Sequence, residues 1–571
     1  MTTKSPKIRV PINRRLAIAA TVGIIIAASA CSNSSDPMAR PGNTTSKSAA
    51  SPGSQIDRCA TPPKNTFMAD STAPIGHIDA AQSNATANSG PRSSKRTLTE
   101  KEMQYTHLGP GHFGLAISSK YPNGARVIWS NGGDRIAKLD EKSLAVLAEL
   151  PLPGKELQSS DAADAAIAQL DSQTGGELAK TAITFAAKYL QGLAGVYYAL
   201  DRDNTLFVGG ADSVIAYQDK VKDDPLSPIV IRNVWNRPAN VRGGFTGVNI
   251  TFDGKLVLVT DEGWVVVLDR DFSGYVASPM LGAEAAAAHN ADIVKSGRQL
   301  GSGSWVRNSV AVDDRGGIYV ASLDHMHKLV WDGKKLSTSQ ADGAWSVPYL
   351  NSDGLGTGAT PALMGYCDDR LVVITDGETR MNVVAFWRDA IPRGWKQLAG
   401  APNARIAGQV GVTMGDPTLK SIQTEQGVTV GGYGALVVNN APKTIPDGFP
   451  AIGVRILVAY SGSDPAFAPH GLEKFEWDPR TRTMRKDWVN RGVSSANSVP
   501  IMSLGSNTVY TVGSRDSQWA LEGVDWSTGK STLTWITGSG RYNTNFAGLF
   551  LDEDGRVIHG TAFGMLRYPT R

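Results

Sequence analysis

Only three cysteines occur in 571 residues, at Cys31, Cys59 and Cys367. They form no Cys-x-x-Cys pair and no Cys/His cluster at zinc spacing, which excludes the familiar local zinc and dithiol motifs. No apolar run reaches the roughly 18 residues of a membrane-spanning helix. Neither a Gly-x-Ser-x-Gly elbow nor an assignable Ser/His/Asp set is present. Residues 354–365, GLGTGATPALMG, place Gly-x-Gly before a strand, but no Gly-Lys-Ser/Thr and no helix follow, so a phosphate loop is excluded too. Acid is missing from residues 1–30, where Lys4, Lys7, Arg9, Arg14 and Arg15 supply five positive charges. The formal net charge of +4 therefore overstates the basicity of the body, which without them carries about −1. No basic patch remains to attract nucleic acid.

What the N-terminus does contain has three parts. A positive stretch ends at Arg14-Arg15, the apolar run LAIAATVGIIIAASA follows, and Cys31 comes next. The run suits a signal-peptide core over residues 1–30. Ala28, Ser29 and Ala30 before Cys31 resemble a bacterial lipobox, although the place three before the cysteine usually holds a larger aliphatic residue. The resemblance implies a lipid on Cys31, export and a membrane anchor in the cell envelope. Residues 31–105 are rich in Ser, Thr, Asn, Ala and Pro, a composition that buries too little apolar surface to offset the entropy of ordering. They read as a flexible tether spanning on the order of 50 Å. Export permits a disulfide between Cys59 and Cys367; two free thiols are the alternative.

From residue 106 to 571 two elements recur. One is an apolar residue, an acid and a Gly/Asn turn followed by an alternating strand, as in ITFDGKLVLVT from Ile250 and VDDRGGIYVAS from Val312. The other is a short apolar strand ending near an aromatic and an acid. Its copies end at Asp140, Asp219, Asp269, Asp332, Asp389, Asp478, Asp525 and, without the acid, Tyr568. Eight copies predict an all-β, eight-bladed β-propeller, with seven blades as the alternative. The aromatics of this strand are expected to fill the wedges between blades. Ala-rich runs at 160–171 and 177–190, split by Gly175-Gly176, predict an α-helical hairpin inserted at about 159–192 between the first two blades. A strand near His112 to Ser119 is expected to complete the ring.

VDWSTGKSTLTW, Val524 to Trp535, resembles the repeat of quinoprotein-type propellers, with Thr528, Gly529, Lys530 and Trp535 at its turn and docking positions; residues 138–150 are a degraded copy. The resemblance implies a quinoprotein-like eight-bladed fold, a superfamily that includes quinone-dependent dehydrogenases and outer-membrane assembly lipoproteins. Those dehydrogenases typically carry a vicinal cysteine pair over the quinone, which this chain lacks, so bound PQQ is not expected. Fold alone does not fix function here.

Polar residues at inner-strand starts, Thr246, Asn308, Thr360 and Asn497, and the turn TDGETRMN with Asp376 and Arg380 are expected near the channel mouth, where polar groups far apart in sequence converge. Asn308, Thr360, Asp376, Arg380 and Asn497 form the candidate ligand site, for a polar ligand or a divalent cation; a surface ion pair between Asp376 and Arg380 is the plainer reading. His325 and His327 share one strand face and make a weak metal candidate, with no third ligand identifiable. The expected function is a non-catalytic binding or scaffolding module, monomeric, tied to the membrane by lipid and facing an envelope partner. The alternative is a channel-mouth enzyme, similar to lactonases or strictosidine-synthase-like hydrolases, or a quinone-dependent oxidoreductase.

Overall fold

The computed structural model describes residues 59–189, 197–295, 304–447 and 454–571. Cys31, the signal-peptide segment and residues 31–58 lie outside them. The described strands form eight sheets. Each is built on an antiparallel hairpin meander, as in Gly114–Ile117, Val127–Asn131, Arg135–Asp140 and Val146–Pro151, and the sheet of blade seven carries Ala85–Thr86 and Lys95–Thr97 as parallel edge strands. Inner strands of the following blades begin at Tyr198, Phe245, Ala311, Ala362, Thr429, Ile501 and Phe550. The architecture is an eight-bladed β-propeller. All eight recurrent strands read from the sequence are third strands of their blades.

The two recurrent elements meet across blade boundaries. Trp331 Nε1 donates to Asp253 Oδ2 of the preceding blade at 2.9 Å, and Trp477 Nε1 to Asp369 Oδ2 at 3.1 Å. In each case a third-strand tryptophan is joined to the acid of the neighbour's first hairpin, so the repeat is a docking device. The third-strand aromatics Tyr217, Trp387, Trp477 and Tyr568 are buried, and Trp387 meets Trp477 edge to face at 5.4 Å. Such pairs add about 0.5–1.5 kcal/mol beyond their buried area.

Among the described residues four α-helices sit on one face of the ring. Helix α1 (Asp161–Asp171) and α2 (Gly175–Tyr189) connect the first two blades, α3 (Ala283–Lys295) connects the third and fourth, and α4 (Val454–Ser461) lies in the second hairpin of blade six. The α1–α2 hairpin does not stand free. Phe185 and Tyr189 pack on Phe563 of blade eight, and Phe185 on Tyr460 of α4. Asp171 accepts from Ser539 and Gly540 of blade seven. The insertion therefore reaches over the ring to blades six to eight.

Two expectations need correction. The strand that closes the ring is Gln104–His107, the outermost strand of blade eight against Gly564–Arg567; the strand beginning at Gly114 is the inner strand of blade one. Residues 59–105 are also not a tether. Carbonyls of Ala73, Pro74, Ala80, Ala81, Ser83 and Asn84 accept in turn from Ile117, Leu200, Val312, Leu363, Val430 and Met502, at 2.8–2.9 Å. Ala80 also receives Asn249 Nδ2 of blade three at 3.0 Å, and Asn88 Nδ2 reaches Asp552 O of blade eight at 3.1 Å. The segment thus crosses the channel on the face opposite the helices and touches every blade. Composition failed here because the segment needs few large side chains of its own: its backbone satisfies the ring's inner strands, and Met68, Ile75 and Ile78 are buried. The close winding imposes positive φ on His77 (62°), Ile78 (80°), Gln82 (58°) and Asn84 (55°). Cys59 is bonded to Cys367, in the first hairpin of blade five, with Cα atoms 5.1 Å apart.

Candidate functional site

On the helix-bearing side of this plug, inner-strand starts from several blades converge. Tyr197, just before the inner strand of blade two, sets its hydroxyl 3.4 Å from Thr360 Oγ1 of blade five. Thr360 Oγ1 also accepts from Ser309 N at 3.3 Å. Asn308 Nδ2 donates to Thr357 O at 3.1 Å, and Arg307 Nε to the same carbonyl at 3.0 Å. Arg307 Nη1 reaches Glu425 Oε2 of blade six at 3.2 Å. The plug contributes His77, whose ring lies 6.2 Å from that of Tyr197 and whose Nδ1 meets Asn84 Oδ1 at 2.9 Å.

His77, Tyr197, Arg307 and Glu425 stand at the centre of the ring yet keep part of their surface accessible, so the axis is not packed solid. Ser309 Oγ and Gln426 Nε2, both buried, find no partner among the described residues. Orphaned polar atoms of this kind mark a place where water or a ligand group completes the bonding. Burial pulls His77 below the ordinary histidine range and so favours the neutral imidazole. Burial also draws the Arg307 guanidinium down to about 10, against the opposing effect of Tyr349 and Tyr197. Together these groups offer hydrogen-bond donors and acceptors to a small polar ligand.

Of the five residues chosen from sequence, Asn308 and Thr360 belong to this centre. Asp376 lies one step outward, in the second hairpin of blade five, where its carboxylate accepts from Asn382 N (2.8 Å), Asn382 Nδ2 (2.5 Å) and Glu378 N (3.3 Å). It connects to the centre through Thr375, whose Oγ1 is 3.4 Å from Thr357 Oγ1. Arg380 donates instead to Pro417 O at 3.3 Å, so the surface pair with Asp376 is not formed. Asn497 is fully buried beneath α4: its Nδ2 donates to Ala459 O at 3.3 Å, a helix carbonyl also taken by Asn543. Thr246 bonds only within its own blade, to Val259 O. His77, Tyr197, Arg307 and Glu425 were missed. Tyr197 sits in a strand start without a motif, and His77 sits in the segment whose composition reads as tether.

His325 and His327 share a strand face with rings 6.0 Å apart. His327 is buried, with Nε2 2.9 Å from Ser322 Oγ, and burial first, then His325, lowers it to about 3. His325 Nδ1 meets Asp324 Oδ1 at 2.9 Å. Among the described residues no group of three or more His, Cys, Asp or Glu is placed to hold a metal ion.

Burial pushes the Asp376 carboxyl up to about 7, although Asn382 and Glu378 bond its charged form. A carboxyl whose folded pKa exceeds its unfolded value makes the native state bind more protons, so its contribution to stability falls as pH rises from about 4 to 7. Asp376→Asn removes that term. The melting temperature of wild type relative to Asp376→Asn is expected to decline between pH 5 and pH 8; a constant difference contradicts the assignment.

No family model matches the chain. It is 29% identical over 541 residues to an uncharacterized protein of Archaeoglobus fulgidus, a match covering 90% of this chain and 92% of the relative. Among solved structures it is similar to BamB from Moraxella catarrhalis, with 10% identity, 81% of this chain and 96% of that chain covered, and a TM-score of 0.41. The C-terminal WD40 domain of Sif2 matches with 9% identity, 83% and 99% coverage and a TM-score of 0.41.

Proposed function

We propose that this chain is an exported lipoprotein, anchored through Cys31, whose propeller is a binding or scaffolding module that works with its helix-bearing face. The observation that carries the reading is the route of the N-terminal segment. It blocks the channel on one face and leaves the body there, at the Cys59–Cys367 bridge, opposite all four described helices. A ring held from that side turns its helices away from the anchor. Leu157, Leu281 and Val294 are 47%, 54% and 56% exposed on the helix-bearing face, apolar surface that an envelope partner would cover.

The test places a photo-crosslinking residue at Leu281 or Val294, and on the opposite face at Val221 or Leu226, in cells that also carry a clickable fatty acid. Adducts with an envelope protein are expected from the first pair, and lipid labelling is expected to vanish in Cys31→Ala. Adducts only from the second pair, or equal labelling of Cys31→Ala, would overturn the reading.

A further inference from the structure

A buried guanidinium between blades four and five leaves two of its nitrogens without a hydrogen-bond acceptor among the described residues. Arg388 directly follows the third strand of blade five (Asn382–Trp387) and is 0% exposed. Its Nη2 donates to Gly365 O, while its Nε and Nη1 meet no acceptor among the described residues. The Tyr366 ring lies against the guanidinium, 5.3 Å from Cζ. Arg370, on the neighbouring strand, receives the Arg388 amide on its carbonyl at 2.9 Å and is also buried, with Nε unpartnered.

Arg370 pairs with Asp313 at 3.3 Å, Asp314 at 3.2 Å and Asp389 at 3.7 Å, and Lys328 with Asp389 at 3.4 Å. Arg405 donates only to the carbonyls of Trp387 and Asp389. Asp313, Asp314 and Asp389 are thus engaged by Lys328, Arg370 and Arg315, and none of them accepts a hydrogen bond from Arg388. Asp79 of the plug is near, but its carboxyl is turned onto the Ser83 amide and hydroxyl. Burying guanidinium N–H groups without acceptors costs free energy that a bound ligand would recover. Three unpartnered nitrogens on two adjacent, buried arginines ask for a single negative ion. The enclosure, with an aromatic ring on one side, favours a monatomic one.

We propose that Arg388, with the Nε of Arg370, holds one buried inorganic anion of chloride size between blades four and five. The full mature chain, dialysed into gluconate, is titrated with chloride and with bromide at constant ionic strength. A saturable rise in melting temperature of about 2 to 3 °C is expected for wild type, since an ion that binds only the folded state stabilises it by mass action. Arg388→Met is expected to show no such rise. Crystals grown in bromide should show an anomalous peak beside Arg388, which decides the matter alone if the variant does not fold. An equal halide response in wild type and Arg388→Met, or bromide data with no peak at Arg388, would overturn the proposal and leave a buried water as the occupant.

Discussion

A chain that begins at residue 108 is expected not to fold cooperatively, whereas one that begins at residue 59 is expected to melt as the full mature protein does. Residues 59–105 read as part of a tether by composition, yet together with Thr106 and His107 they close the ring. Without Gln104–His107, blade eight keeps strands of only two, four and four residues, Phe550–Leu551, Val557–Gly560 and Gly564–Arg567. So small a sheet cannot hold the first and last blades together, and a propeller depends on closure to protect its edges. The same deletion strips Lys95–Thr97 and Ala85–Thr86 from the two edges of blade seven. It also removes the carbonyls that accept from the inner strands, leaving buried amides such as Ile117, Leu363 and Val430 unpaired. Thermal melts followed by circular dichroism, with size exclusion, give the result. Equal cooperative transitions in both truncations would contradict the assigned role.

Removing the Cys59–Cys367 bridge by a double Ser substitution is expected to destabilise the protein by about 2–4 kcal/mol, the usual range for a native disulfide. The bridge spans 308 residues, so in the unfolded chain it closes a very long loop. Unfolding a chain of this length carries a large entropy, so the melting temperature falls by only about 2 to 4 °C. The bridge holds the N-terminal segment where it enters the ring, and hydrogen exchange over residues 59–72 should accelerate before that of the blades. Unchanged denaturant midpoints with and without reductant would contradict this prediction.

The eight blades were legible because the repeat does physical work. A third-strand tryptophan and a first-hairpin aspartate must recur if each blade is to dock on the next, as Trp331–Asp253 and Trp477–Asp369 do. The α1–α2 hairpin was legible from its alanine-rich periodicity, but its docking was not, since Phe185 and Tyr189 meet Phe563 only through the closed ring. The plug escaped notice because its hold on the blades is made by main-chain carbonyls, which leave no signature in composition. Phe67, Met68, Ile75 and Ile78 were the signal available in that stretch. At the candidate site, Asn308 and Thr360 were found because inner-strand starts face the axis. Asn497 shares that kind of position but is spent on α4, and Asp376, chosen from a turn, is spent on its own hairpin, a difference that depends on local hydrogen bonding rather than on residue type.

The claim on which the rest stands is that the N-terminal segment belongs to the body. Limited trypsin digestion of the mature chain, with the start of the resistant core read by mass spectrometry, tests it most directly. Lys47, Arg58 and Lys64 precede the plug, while Arg92, Lys95, Arg96 and Lys101 follow it. Arg96 is tied to Glu102 and to the C-terminal residue, and Lys95 sits in a strand against Thr534. The account predicts a core that starts just after Lys47, Arg58 or Lys64 and keeps residues 73–107. A core starting after Lys95, Arg96 or Lys101, with the preceding segment digested and the remainder still folded, would contradict it.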